Sequence, residues 1–164
     1  MENTYRDVNI AFANELAKMA EKLDVNIWEA IKFANYHPRV NVHFPGPGVG
    51  GHCIAVDPWF LVELGGDTAQ IIHLARNTND SMPSYTAQKT QSILNKAGMA
   101  GATVAVLGLA FKGNIDDMRE SPSTIVIDEL QKLGLNVISF DPHIKENKHA
   151  TQTQSLQEAT ANAD

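Results

Sequence analysis

The hydrophobic periodicity of this chain changes once, near residue 100, and that change does most to limit the folds open to it. Before it, apolar residues recur at helical spacing. Val8, Ala11, Phe12, Leu16, Met19 and Leu23 fall every three to four positions, which predicts a helix over about 3–22 with one apolar stripe. Asn26 followed three residues later by Glu29 reads as a helix start. The helix it opens carries Ile27, Trp28, Ile31 and Phe33 until His37-Pro38 stops it. The apolar run Ile54 to Leu64 begins a helix near Pro58, and helical spacing returns over about 67–77 and 82–97, the last closed by Gly98.

After residue 100 the pattern is that of a strand, Thr103 to Leu107, followed by a polar loop from Lys112 to Glu120. A helix capped by Ser121-Pro122 comes next, with Ile125, Leu130 and Leu133 facing inward, and then a second strand from Asn136 to Phe140. Strand, helix, strand in this order is a βαβ unit, with a right-handed crossover expected. The expected architecture is α/β overall: an all-α domain over 1–99, then the opening βαβ unit of a second domain over 100–164. Two parallel strands bury neither sheet face nor both edges, and the remaining tail is polar with one short helix over 155–161. The chain therefore reads as a piece of a longer protein, starting inside one domain and stopping inside another.

Composition narrows the partners. Thirteen Lys and Arg against nineteen Asp and Glu give a formal charge of −6, without the basic footprint that a nucleic-acid partner requires. Cys53 is the only cysteine, which excludes an internal disulfide and a four-cysteine zinc site and suits a reducing, cytoplasmic setting. There is neither a run of about 18 apolar residues nor a basic start leading into an apolar core, so no membrane partner or signal peptide is expected.

The chemistry concentrates in one loop. Pro45, Gly46, Pro47, Gly48, Gly50 and Gly51 fall within seven positions, a density of breakers that no regular element survives. Glycines remove Cβ atoms where backbone must approach a ligand, and successive N–H groups can cradle an anion such as a diphosphate. Cys53 follows directly, just before a helix start, where amide dipoles favour the nucleophilic thiolate. Asp57, four residues on, lies one turn along the same face and within reach of a water or substrate near the sulfur. A buried structural cysteine beside a turn is the plain alternative.

The run Pro45-Gly-Pro-Gly-Val-Gly-Gly-His-Cys53-Ile-Ala-Val-Asp57-Pro-Trp-Phe resembles the active-site loop of the UDP-glucose/GDP-mannose dehydrogenase family. The form with His52 before the cysteine is similar to the branch acting on N-acetylated sugars. Two more blocks agree, in family order: Glu2 to Glu15, and Leu107-Gly-Leu-Ala-Phe-Lys-Gly-Asn-Ile-Asp-Asp-Met-Arg-Glu-Ser-Pro122. The resemblance implies an all-α central dimerisation domain followed by the first βαβ unit of a Rossmann-like UDP-binding domain. It also implies a homodimer formed through the long first helix. The implied reaction is a four-electron oxidation of a UDP-sugar, its C6 alcohol becoming a carboxylate with two NAD molecules reduced in turn. Cys53 would add to the aldehyde to give a thiohemiacetal, then a thioester that water hydrolyses, so that a thiol adduct presents the aldehyde carbon as a hydride donor.

By the same resemblance, Asn3 and Asp57 act with Cys53 in catalysis, holding the catalytic water and the oxyanion. Arg6, His37, Arg39, Phe44, Gly46, Gly48, Val49, Gly50, Phe111 and Lys112 bind substrate, with His37 to Arg39 reaching a neighbouring subunit's site. Cys53, Ile54 and Arg119 face the cofactor, NAD. Read without the family, Asn3 is a helix cap, Asp57 a first-turn charge, and Arg39 and Lys112 solvated side chains. Gly108-Leu-Ala110 after the first strand lacks the G-x-G-x-x-G spacing, so no dinucleotide is expected on this βαβ unit. An NAD-binding Rossmann domain is absent from the chain, as is the lysine that the family places four residues before Asn3. The isolated chain is therefore expected neither to hold NAD firmly nor to turn over. Two other readings stay open: a sugar-nucleotide binding module without catalysis, and a metal-binding regulator using His43, His52, Cys53 and Asp57. The second is disfavoured because adjacent His52 and Cys53 point apart, and no metal site is expected.

Overall fold

The computed structural model describes all residues from Met1 to Asp164, and they form two compact units, Met1–Met82 and Pro83–Asp164. The first unit is helical. α1 (Glu2–Lys22) packs on α4 (Gln70–Asp80), with α3 (Asp57–Gly65) against both, a 3-10 turn (Gly66–Thr68) between α3 and α4, and α2 (Ile27–Ala34) beside α1. Asn26 caps α2 as its sequence promises, its side chain accepting the N–H groups of Trp28 at 3.0 Å and Glu29 at 3.4 Å. The helix stops at Ala34, three residues before His37. The Asn35 side chain there takes up the chain instead, donating to the Val42 carbonyl at 3.0 Å and accepting the Val42 N–H at 2.7 Å. No helix is long and apolar enough to cross a membrane.

Of its apolar stripe, α1 buries only Ala11 fully. Its buried residues are Thr4, Asp7, Ala11, Ala13, Asn14 and Ala20, while Phe12 and Met19 stay about half exposed (53% and 50%) and Leu23 more so at 68%. Small and polar residues let α1 and α4 approach closely, and they leave the large apolar side chains facing outward.

The second unit holds α5 (Met82–Lys96, all but its first residue), β1 (Thr103–Leu107), α6 (Pro122–Lys132), β2 (Asn136–Phe140), β3 (Thr151–Gln152) and α7 (Leu156–Ala161). Gly98 closes α5 at φ +74°, with the Met99 N–H reaching back to the Leu94 carbonyl at 3.0 Å. The sheet is parallel in the order β1-β2-β3, Thr103 pairing with Asn136 and Leu107 with Phe140. Its third strand corrects the two-strand expectation. Thr151 and Gln152 pair with Ile138 and Ser139, and so short a polar strand carries no apolar run to announce it. The core gathers Leu109, Ile127, Leu130, Val137 and Ile144 with Leu94 of α5. Full burial of a side chain such as Ile127 contributes about 1.5–3 kcal/mol. Ile125 is a second correction: α6 turns Val126, Ile127 and Leu130 inward and leaves Ile125 48% exposed. The β-branched run Thr124 to Ile127 covers more than a full turn of helix, so its composition did not say which of its members face the core.

Candidate active site

The glycine loop of the first unit is tied down from several directions. Asn35 holds it at Val42, as described, and the Trp28 and Phe44 rings lie 5.6 Å apart. Asn14 of α1 accepts the Gly46 N–H at 2.9 Å. Gly48 (φ +137°) and Gly51 (φ +86°) turn the backbone through the left-handed region that side chains disfavour. Gly46 is different. Its φ is not in that region and an added Cβ would meet no atom of the chain within 4 Å. The protein's own packing does not require glycine there, which leaves open space beside the backbone for a ligand.

Cys53 leaves this loop exposed to solvent, so the buried structural reading is overturned. Its carbonyl accepts the N–H groups of Val56 at 3.1 Å and Asp57 at 2.8 Å, so an α-turn joins Cys53 to Asp57, the first residue of α3. Pro58 sits in the first turn of that helix, where a missing N–H costs nothing. Across the unit, the Asn3 side-chain amide in the first turn of α1 donates to Asp57 Oδ2 at 2.7 Å. The fold thus brings together Asn3 and Asp57, 54 residues apart in sequence, and links Asp57 to Cys53 through one turn of backbone. An Asn amide has two N–H donors, so Asn3 oriented by Asp57 has a second to offer an oxyanion.

The remaining candidates are placed as follows. Arg6 lies exposed on α1, one turn beyond Asn3. His37 and Arg39 are exposed in the turn after α2, the Arg39 N–H donating to His37 Nδ1 at 3.3 Å. Phe44 is exposed, while Gly46, Gly48, Val49, Gly50 and Ile54 are half-buried along the loop and its exit. Phe111, Lys112 and Arg119 belong to the other unit, on the loop between β1 and α6; Phe111 is half-buried and Lys112 exposed. Arg119 forks onto Asp117, with Nε to Oδ1 at 2.9 Å and Nη2 to Oδ2 at 2.7 Å.

In that second unit a cavity of about 400 Å³ opens where β1 and β2 end, lined among others by Gly108, Ala110, Lys112, Asn114, Asp141 and His143. Asp141 governs it. One carboxylate oxygen takes the N–H groups of Leu109 (2.7 Å) and Ala110 (3.2 Å), and the other those of His143 (2.8 Å) and Ile144 (3.2 Å). The turn after the first strand, where a dinucleotide fold presents free N–H groups to a pyrophosphate, here has them filled by the protein's own carboxylate.

Sequence reading missed the buried polar cluster behind the glycine loop: Asp7, Asn14, Arg76 and Asn79, all essentially excluded from solvent. Arg76 pairs with Asp7 and with Asp80. Burial pushes the Asp7 carboxyl above its ordinary range, against the pull of the Arg76 charge and the Asn79 amide. A signal existed in the seven-residue spacing of Asp7 and Asn14, two polar side chains on the face opposite the apolar stripe.

Comparisons with known proteins agree across both units. Residues 1–81 match the central domain of the UDP-glucose/GDP-mannose dehydrogenase family, and residues 105–164 match that family's UDP binding domain. A UDP-N-acetyl-D-mannosamine dehydrogenase of Methanococcus maripaludis is 54% identical over 143 residues, which cover 87% of this chain and 33% of the relative. An NDP-N-acetyl-D-galactosaminuronic acid dehydrogenase of Ralstonia nicotianae is 47% identical over 162 residues, covering 98% of this chain and 38% of the relative. Among solved structures, a UDP-D-ManNAc dehydrogenase from Pyrococcus horikoshii superposes with a TM-score of 0.91 at 42% identity, covering all of this chain and 38% of that one. The chain spans between a third and two fifths of the length of the relatives it matches.

Proposed function

The chain belongs to the UDP-glucose/GDP-mannose dehydrogenase family, and from that premise we propose that it carries the thiol chemistry of a UDP-N-acetyl-D-mannosamine 6-dehydrogenase. The net reaction takes the C6 alcohol and one water to the uronate carboxylate, passing two hydrides to two NAD molecules and releasing three protons. The uronate serves surface-polysaccharide synthesis, and the enzyme works in the cytoplasm as a homodimer formed through α1. The observation that carries the reading is the exposed Cys53 at the end of the glycine loop, one backbone turn from Asp57, whose carboxylate in turn holds Asn3 at 2.7 Å.

The residues of this chain divide the work. Cys53 Sγ forms the C–S bond to the C6 aldehyde, and the carbonyl π pair moves onto oxygen, where the second N–H of Asn3 meets it. Once the carbon is at the acyl level, Asp57 orients a water and takes its proton. The C–S bond then breaks and the thiolate leaves. Loss of the Asn3 donor lowers turnover by roughly 10²–10³ on the scale of oxyanion donors. Arg6, Phe44, Gly46, Gly48, Val49 and Gly50 hold the sugar nucleotide, with Phe111 and Lys112 contributing from the UDP binding domain. His37 and Arg39 reach the partner subunit's site, where the guanidinium of Arg39 suits bidentate contact with a diphosphate.

NAD, when bound, supplies the hydride acceptor. The βαβ unit of this chain does not fit it, because Asp141 fills the N–H groups at Leu109 and Ala110. The contacts that fall to this chain are Cys53, Ile54 and Arg119, the last sharing its guanidinium with Asp117.

The choice of UDP-N-acetyl-D-mannosamine is supported by the similarity to dehydrogenases named for that substrate. Alkylation of Cys53 by iodoacetamide tests the site. A catalytic thiol reacts faster than a free one of pKa about 8.5 and is protected by UDP-N-acetyl-D-mannosamine. Ordinary reactivity that the sugar nucleotide does not change would reduce the chain to a binding module or less.

A further inference from the structure

We propose that Asn14 and Asn79 are positioning residues for the glycine loop, and that the Asp7 carboxylate, seated on Arg76, sets the direction in which their amides point. The inference deepens the proposed function and rests on it for its catalytic consequence, though not for its geometry.

The chain of contacts is continuous. Asn14 Oδ1 accepts the Gly46 N–H at 2.9 Å, and Asn14 Nδ2 donates to Asn79 Oδ1 at 2.8 Å. Asn79 Nδ2 donates to Asp7 Oδ1 at 2.8 Å and to the Asp7 carbonyl at 3.0 Å. Arg76 donates to the same Asp7 oxygen. All four side chains are buried, with Asp7, Asn14 and Asn79 at 0% exposure and Arg76 at 1%.

Its polarity is fixed at both ends. An ionised carboxylate only accepts and a backbone N–H only donates. Asp7 therefore requires the NH₂ of Asn79, which turns the Asn79 oxygen toward Asn14. That oxygen requires the NH₂ of Asn14, which turns the Asn14 oxygen toward Gly46. Flipping either amide would set donor against donor and acceptor against acceptor in a buried place, at the full desolvation cost of each. The guanidinium of Arg76 favours the charged state of Asp7, which anchors this order.

The loop end is equally constrained. Pro45 and Pro47 have no N–H, so Gly46 offers the only backbone donor across those three residues, and that donor is spent on Asn14. Neither a positive φ nor a neighbour within 4 Å of an added Cβ explains the glycine itself. The single N–H bond holds the backbone while its other side stays bare for the sugar nucleotide, seven residues before Cys53.

The Pro-Gly-Pro sequence also makes the test specific, because overlapping peptides whose coverage differs by residues 45–47 differ by one amide, that of Gly46. Hydrogen exchange followed by mass spectrometry is run on the protein and on Asn14→Ala, Asn14→Ser and Asn14→Asp. Expected is at least tenfold faster exchange at Gly46 in Asn14→Ala, with a clearly smaller acceleration at the amides of α1 and α4, which lose the Asn14–Asn79 bond. Asn14→Ser is too short to reach Gly46 and gives the same result should the alanine variant not fold. Asn14→Asp keeps an acceptor for Gly46 but sets its second oxygen against Asn79 Oδ1, so exchange at Gly46 between that of the parent and that of Asn14→Ala is expected. Unchanged exchange at Gly46 in both short variants overturns the proposal, as does uniform acceleration of the whole helical unit in all three. Titration with UDP-N-acetyl-D-mannosamine separates the two claims. Binding weakened about tenfold in Asn14→Ala supports the catalytic consequence. No binding by the unsubstituted protein defeats the functional reading and leaves the exchange result standing.

Discussion

Asp141 shows how one carboxylate can close a site that its fold would otherwise open. Burial raises its proton affinity, but the N–H groups of Leu109, His143, Ala110 and Ile144 outweigh that and hold the carboxyl below its usual range. The folded state thus binds this proton less tightly than the unfolded chain. The stabilisation is fully present above the ordinary carboxylate value near 3.8 and is lost as pH falls through the lower folded value. Asp141→Asn keeps one acceptor and puts an NH₂ against backbone N–H groups, so it is expected to destabilise the protein by about 2–3 kcal/mol at neutral pH. It should also flatten the acid limb of the stability curve. Urea unfolding from pH 7 down to about pH 3 checks both; a loss within about 0.5 kcal/mol would deny Asp141 this role. In sequence Asp141-Pro142 read only as the end of a strand. Its four partners come from two loops 32 residues apart, which no local pattern encodes. Asn3 and Asp57 were legible through family likeness alone, since each by itself resembles an ordinary helix-terminal residue. Asn14 was hidden for the opposite reason: a polar residue inside a helix is usually read as solvent-facing.

At the scale of elements, α1 carries the clearest consequence. Its stripe was legible from spacing, yet the face it buries within the chain takes only Ala11 from that stripe and is otherwise made of Thr4, Asp7, Ala13, Asn14 and Ala20. Small side chains and paired polar groups suit close helix packing, so hydrophobicity alone pointed to the wrong contact. Tyr5, Phe12, Met19 and Leu23 are left facing solvent, together with Val25 just beyond the helix. Exposed large apolar side chains along one helix fit an interface between copies. Phe12→Asp is expected to convert a dimer to monomer with little change in helix content, by sedimentation equilibrium and circular dichroism. A parent that is monomeric at tens of micromolar, or a variant that stays dimeric, would exclude this face. Helices α5 and α6 were readable nearly to the residue, whereas α2 was readable at its capped start but stops three residues before the expected end. The two-residue strand β3 was not, because its pairing with β2 supplies a register that its own composition lacks.

For the whole molecule, the periodicity change near residue 100 gave the order of architectures correctly, helical first and parallel βαβ second. The two compact units divide earlier, between Met82 and Pro83, so that α5 supplies Leu94 and Ala87 to the core beneath the sheet. Helical spacing says what an element is and not which core it joins. The loop was legible as a candidate site because glycine, proline and a lone cysteine are chemically distinctive; the polar scaffold behind it became visible only in three dimensions.

The central claim is that Cys53 forms the covalent bond through which an aldehyde becomes an acid. Its most direct test is uronate formation by a relative of full length in which this sequence replaces the matching segment, with Cys53 replaced by alanine and with UDP-N-acetyl-D-mannosamine and NAD supplied. The account predicts uronate at less than roughly a thousandth of the parent rate, on the scale of losing an essential nucleophile. Uronate formed within about tenfold of the parent would contradict it.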